Sequence, residues 1–412
     1  MKRWKNIAGT ALALVLSVFV LARTVRNLPP AWNWDVLGYM GLALEWEYDD
    51  PADVHRETYA AAKRELPPEV YADLTAPSVK VRRARAADPA IFHEHIGFYR
   101  ARVLPTYLVH LAHRFGAPLS GAVWGLAVVS FLLTACVFVL WLLGRVAAPW
   151  ALLGGTLLAH APPLLVTATY ATPDSLGLFL IVLGSYLLLE RKSHRGAALV
   201  FTLSILARPD AILFLGALAI LLWWAERRSP SGPSTGFLAG WVAVSAALYL
   251  GVGRWSQGYG WWALFQISFL AKSLHPSQLS TRIDWPTYRA VLGAKASEIP
   301  GSGYWRTARA VTGSTYLFPY AAAVLLAFAL LGERLRSPAL RRTSVLLVAL
   351  LATYTVRWFL FPQVWDRFFA PVYALVPMCL VSLASDVVGI RNSERARAQN
   401  ASNDVTSSIT SA

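Results

Sequence analysis

Apolar blocks separated by short polar connections run along most of the chain. A bilayer's hydrocarbon core is about 30 Å thick, so a spanning helix needs about 20 mostly apolar residues. Ten blocks are predicted to span: 7–28, 118–143, 149–169, 174–190, 196–208, 210–225, 236–253, 314–331, 343–361 and 368–388. The first follows Lys2, Arg3 and Lys5. It is longer than the apolar region of a secretory signal and has no clear small-residue cleavage site before Pro29, so it reads as a retained anchor. The predicted fold class is all-α: a polytopic membrane protein of about ten transmembrane helices, with two long extracytoplasmic loops containing interfacial helices.

The pair 196–208 and 210–225 decides the topology. The first block has 13 residues, about 20 Å as a helix. A single helix kinked at Pro209 would put Arg195 and Arg227/Arg228 on opposite sides of the membrane. Two short helices in a hairpin keep them on one side, as the positive-inside rule favours. The hairpin tip, Arg208-Pro209-Asp210, then lies below the outer surface. A charge there costs roughly 2.5–3.5 kcal/mol or more unless it faces protein or water. The tip is therefore predicted to line a water-filled cavity open to the outside.

With that topology sixteen basic residues and six acids fall in the short loops and tails of one side, predicted cytoplasmic with both termini. The chain then divides into the N-terminus and first span (1–28), a first outer loop (29–117), central membrane helices (118–253), a second outer loop (254–313), C-terminal membrane helices (314–388) and a tail (389–412). The tail, rich in Ser, Asn, Arg and Ala, is predicted disordered. No internal repeat is evident, which counts against repeat-built transporter folds.

In the first outer loop, 53–66 reads as a polar surface helix. In segment 101–115, Val103, Leu104, Tyr107, Leu108, Leu111 and Phe115 share one face, which reads as an amphipathic helix in the interface. The second loop carries Trp255, Tyr259, Trp261, Trp262, Phe265 and Phe269, which suit the headgroup layer. Lys272, His275, Arg282, Arg289 and Lys295 follow as a basic rim.

Composition sharpens this picture. Of 412 residues, 56% are hydrophobic and only 15% charged, with a mean hydropathy of +0.45; soluble domains carry about 25% charged residues. A disordered, fibrous or disulfide-stapled secreted chain is excluded. Both cysteines, Cys136 and Cys379, lie in apolar blocks, so there is no disulfide framework and no thiolate metal site. The net charge of +15 is mostly a topology signal, and basic residues spread over loops are a poor footprint for nucleic acid.

Several polar residues stand out against this background. Asp35, in Asn33-Trp34-Asp35, is the first acid after the first span; it reads as a solvated helix-start aspartate or as a base toward a hydroxyl. Tyr170-Ala171-Thr172-Pro173-Asp174 reads as a helix cap or as part of a site. Arg208-Pro209-Asp210 reads as a capped turn or, from its depth, as a functional element. Tyr99-Arg100-Ala101-Arg102 reads as headgroup snorkelling or as a phosphate clamp. Trp365-Asp366-Arg367-Phe368-Phe369 reads as an interfacial anchor, or as Arg367 facing the same cavity as Arg208. His93-Glu94-His95 and His110/His113 match no zinc spacing and read as interfacial histidines. Phosphate-loop, dinucleotide and serine-elbow motifs are absent.

Together these pieces resemble the GT-C superfamily of polytopic membrane glycosyltransferases, which use lipid-linked sugars. The resemblance rests on Asp35 and Tyr39 after the first span, a long first outer loop with interfacial helices and the Thr172-Pro173-Asp174 helix start. It also rests on the Arg208-Pro209 step between short helices and the Asp366-to-Pro371 opening of a late span. The text around Phe98-Tyr99-Arg100 also resembles uncharacterised bacterial membrane proteins. One departure is that Val36, not a second acid, follows Asp35, which puts a two-acid metal arrangement in doubt.

The resemblance implies transfer of a sugar from polyprenyl phosphate to an acceptor hydroxyl on a glycan, lipid or protein, with inversion, at the outer face of a bacterial inner membrane. Asp35 would be the catalytic base. Tyr39, Tyr99, Arg100, Arg102, Asp174, Arg208, Asp210, Lys272, Asp366 and Arg367 would bind substrate or its phosphate. No cofactor is demanded, and a divalent metal is the open alternative. The rival expectation is a transporter or lipid flippase with the same outward cavity. The large, asymmetric outer loops favour the enzyme, because a carrier needs access from both sides.

Overall fold

The computed structural model describes residues 2–227, 232–256, 258–270, 274–298, 338–362 and 367–386. These are overwhelmingly helical. No strand occurs among them, apart from one isolated bridge that ties Ala31 to Tyr170. The predicted span 314–331 and the tail 389–412 lie outside the described residues.

Helix α1 (Lys2–Arg26) leads into a cap of six shorter helices: α2 (Asp35–Leu44), α3 (Pro51–Glu65), α4 (Pro68–Leu74), α5 (Lys80–Ala87), α6 (Pro89–Ile96) and α7 (Val103–Arg114). The bundle follows with α8 (Leu119–Leu143), α9 (Ala148–Ala159), α10 (Pro162–Thr169), α11 (Asp174–Leu189), α12 (His194–Ala207), α13 (Ala211–Glu226) and α14 (Thr235–Trp255). A second cap element holds α15 (Gly260–Phe265) and α16 (Trp285–Glu298); α17 (Pro338–Leu360) and α18 (Arg367–Asp386) return to the bundle.

The chain is a helical membrane protein. Five described helices, α1, α8, α14, α17 and α18, are long and apolar enough to cross a membrane, or six crossings if the bent pair α9/α10 counts as one. Large apolar side chains such as Val15, Phe19, Leu157, Ile220, Val244 and Leu250 face outward from the bundle, as lipid contact requires. The ten predicted spans are thus not all present as full-length crossings. Helices α11, α12 and α13 have 16, 14 and 16 residues, about 21–24 Å each. The predicted span 149–169 breaks by 65° between α9 and α10. Pro162 and Pro163 open α10, and a proline disfavours helical backbone at the residue before it.

The turn at Pro209 is a hairpin. Phe201 of α12 and Phe214 of α13 meet edge-to-face with centroids 5.4 Å apart; in one continuous helix they would lie about 20 Å apart. Ion pairs identify the far end of the bundle. Arg145, after α8, pairs with Glu190 at the end of α11 (2.8 Å) and with Asp386 at the end of α18. Glu226, ending α13, pairs with Arg342 at the start of α17. The near end therefore holds the starts of α11, α13 and α18 and the ends of α12 and α17.

Helix α3 covers most of the polar segment 53–66, with Asp50 as its N-cap. Its Val54, Thr58, Tyr59, Ala61 and Ala62 are buried, so it is not a simple surface helix. Of the predicted apolar face of α7, Tyr107 and Phe115 just beyond the helix are exposed, while Leu104 and Leu108 pack against the cluster of Leu176, Leu180 and Ala207. The aromatic run of the second loop differs from expectation: Trp262, Phe265 and Tyr288 form a small core of their own, and the Tyr288 hydroxyl donates to Phe359 O (2.7 Å). Only part of the run, Trp255 above all, remains outward. The other rings pack against one another, α16 and the end of α17.

Candidate functional site

Asp35 is the first residue of α2, a helix buried on every side from Val36 to Leu44. An acid suits a helix N-terminus, where free backbone N–H groups carry partial positive charge. Its backbone N–H donates to Asn33 Oδ1 (3.0 Å), which locks the turn into the helix. The bridge from Ala31 to the end of α10 then brings this helix start against the near end of the bundle.

Three donors converge on the Asp35 carboxylate. The Tyr99 hydroxyl donates to Oδ1 (2.7 Å), and Arg367 Nη1 (2.9 Å) and Asn33 Nδ2 (3.3 Å) donate to Oδ2. The side chain still keeps 21% of its surface exposed. Burial pushes the Tyr99 hydroxyl's pKa well up, and the adjacent Asp35 charge adds to the effect, so Tyr99 stays protonated as a donor.

From Asp35 a chain of alternating charge runs into the bundle. Arg367 also lies 3.7 Å from Asp174 Oδ2. Asp174 accepts from Thr172 Oγ1 (2.9 Å) and pairs closely with Arg208. Arg208 donates through Nε and Nη2 to both oxygens of Asp210 (3.1 Å each). Arg357 Nε closes the series at 3.0 Å from Asp210 Oδ2. Phe368 lies among the guanidinium groups of Arg208, Arg357 and Arg367, at 5.4, 4.3 and 5.2 Å from its ring centroid. Gly177 permits the close passage of Arg208: a Cβ there would come within 2.7 Å of Arg208 Cδ. A cavity of about 20 Å³ lies among Asp174, Arg208, Asp210 and Arg357, room for about one water.

Arg102 completes the group. It hydrogen-bonds the Tyr39 hydroxyl and lies over the Tyr99 ring at 5.2 Å. Among the described residues it has no carboxylate within ion-pair distance, in contrast to Arg208, Arg357 and Arg367. Among the described residues four arginines thus meet three aspartates, an excess of one positive charge.

Of the residues singled out in the sequence, Asp35, Tyr39, Tyr99, Arg102, Asp174, Arg208, Asp210 and Arg367 come together here. Arg100 does not. It turns away to Glu45, bonding both carboxylate oxygens at 2.6 and 3.0 Å. Lys272 and Asp366 lie outside the described residues. Arg357 was missed, although a single arginine deep in the apolar block 343–361 is itself a signal, since ionisable groups at membrane depth usually serve a site. No three His, Cys, Asp or Glu side chains converge among the described residues. Asp35 itself takes three nitrogen and hydroxyl donors. Compared with family models, with curated proteins and with solved structures, the chain matches none.

Proposed function

We propose that this protein is a GT-C-type membrane glycosyltransferase that moves a sugar from a polyprenyl-phosphate donor to an acceptor hydroxyl. The observation that carries the reading is the excess positive charge: Arg102, unneutralised, beside a carboxylate that keeps an exposed edge. Anions bind guanidinium through paired donors, and Arg102 is only partly buried, open to receive one.

In this reading the acceptor hydroxyl approaches the exposed edge of Asp35. Its proton passes to the carboxylate as its oxygen forms the new bond to the anomeric carbon. The bond from that carbon to the phosphate oxygen breaks, and the phosphate leaves with the electron pair. Its charge rises from one to two negatives, and arginines fixed in advance stabilise that added charge without reorganisation. Attack opposite the leaving group inverts the anomeric centre. Tyr99, Asn33 and Arg367 aim the Asp35 carboxylate.

The same reading puts the near end of the bundle on the extracytoplasmic side of a bacterial inner membrane, with both termini cytoplasmic and α11, α12 and α13 completing a ten-span plan. Helices of 21–24 Å in a core of about 30 Å set the Arg208–Asp210 tip below the outer surface. The test is sugar transfer from a polyprenyl-phosphate sugar by purified protein. Asp35→Asn should lose about 10²–10⁴-fold in rate; full activity in that variant would refute the role of Asp35.

A further inference from the structure

A second cavity, of about 330 Å³, opens at the other end of α2. Its lining includes Glu45, Trp46, Asp49, His93, Arg100 and Trp255. Glu45 follows the last residue of α2 and Asp35 is the first, so the two sites are about 15 Å apart along the helix. This cavity holds the clamp residue that turned away from the charge cluster.

Its chemistry differs from that of the first site. The Arg100–Glu45 pair is two-toothed and braced by His93, whose ring lies 2.8 Å from Arg100 Nη2. Both partners stay partly open, 18% and 21% exposed. They present fixed donors and acceptors toward the cavity. Asp49 is exposed and has no ion-pair or hydrogen-bond partner among the described residues. Trp46 and Trp255 offer indole faces that are 43% and 61% exposed. Their centroids are 6.3 Å apart, too near to hold a ring between them at carbon contacts of about 3.5–4.0 Å on each side. A ligand ring must therefore stack on one open face.

We propose that this cavity binds a saccharide unit, neutral or amino-bearing, of the glycosyl acceptor. An indole face takes the C–H face of a pyranose, and a braced carboxylate–guanidinium pair takes its hydroxyls. Burial, followed by the Arg100 charge, lowers the His93 pKa. With His93 neutral, Glu45, Asp49 and Arg100 leave one net negative charge. That disfavours phosphates and uronic acids, the opposite of the preference at Arg102. The volume lies within the 300–1,000 Å³ of small-molecule pockets. The word acceptor rests on the proposed glycosyl transfer; the saccharide site itself does not. A few linked sugars would bridge the distance from the cavity to Asp35.

The test uses full-length protein in phosphatidylglycerol nanodiscs, which contain no sugar detergent. Cellobiose, mannobiose, chitobiose and glucosamine are titrated against intrinsic tryptophan fluorescence, with phosphocholine as the headgroup probe. At least one saccharide should give a saturable change, weakened tenfold or more by Trp46→Ala and by Glu45→Gln. Trp46→Phe should keep most of the affinity and confirm that the cavity is folded. Asp35→Asn should bind as the parent does. No saturable change with any of the four sugars, phosphocholine binding as tightly as the best of them, or unchanged affinity in Trp46→Ala would each overturn the proposal. Saccharide binding without any sugar transfer would leave this site standing and remove the transferase. Transfer with an acceptor KM untouched by Trp46→Ala would do the reverse.

Discussion

The charge cluster permits a prediction that separates stability from function. Asp174 is 4% exposed and Arg208 10% exposed at the side chain. Removing one member of a buried ion pair costs about 3–5 kcal/mol, because the other charge is left without compensation. Here each charge has a second partner: Arg208 keeps Asp210 at 3.1 Å, and Asp174 keeps Arg367 at 3.7 Å. Asp174→Leu and Arg208→Met should therefore each fall near the low end, about 3 kcal/mol. The double variant Asp174→Leu/Arg208→Met removes both charges together and fills the space with apolar groups. It should recover much of the loss, with a coupling energy of about 1.5–3 kcal/mol. Sugar transfer should not recover with it, because the phosphate-binding end has lost Arg208. Equilibrium unfolding of the purified variants in mixed micelles supplies the cycle, and transfer assays on the same preparations supply the second readout. Additive losses within about 0.5 kcal/mol would refute the coupling. Recovery of transfer in the double variant would refute a role for Arg208 in binding the donor.

Tyr99→Phe removes one hydrogen bond to an ionised carboxylate, worth about 1.5–3 kcal/mol, and should lower kcat about 10- to 100-fold while KM for the lipid donor changes little. Gly184→Ala would bring a Cβ within 2.5 Å of the Phe201 ring; overpacking of this kind costs about 1–3 kcal/mol, read as a lower melting temperature with donor KM unchanged in the surviving folded protein. His95 is 2% exposed, and its Nδ1 accepts from Arg85 while Nε2 donates to Leu274 O (2.9 Å). Burial, then the Arg85 charge, lowers its pKa to about 4. The unfolded chain, near 6.5, thus takes up a proton that the folded protein refuses. Stability should be full above pH 6.5 and fall by up to about 3 kcal/mol as pH drops to 4, and unfolding curves of His95→Gln should lose that slope.

The elements were legible wherever a single periodicity spoke. Eight of the ten apolar blocks are single helices within about five residues of their predicted ends, because length and apolarity alone specify them, and a ninth is the bent pair α9/α10. The 65° break was written in Pro162-Pro163 but outvoted by the apolar run around it. In the site, Asp35, Asp174, Arg208 and Arg367 were visible because each is a charge at the edge of an apolar block. Their pairing was not visible: Asp35 and Arg367 are 332 residues apart. Arg100 illustrates the limit. It lies two residues from Arg102, and an irregular turn ahead of α7 sends one guanidinium to Glu45, just past the end of α2, and the other to Tyr39 in its middle. Sequence spacing has no access to that divergence.

The two ends of the bundle use charge differently, and the difference bears on what the protein handles. At the far end Arg145 faces two acids and Arg342 faces Glu226, so the buried acids there at least match the arginines. At the near end three aspartates serve four arginines among the described residues, and the shortage falls on Arg102, which is only partly buried. The imbalance lies beside the one carboxylate of the group that begins a helix in the cap, and at the end where α11, α12 and α13 stop short. A ligand that brings negative charge to this place and gains more of it during reaction would bind where the protein is otherwise undercompensated.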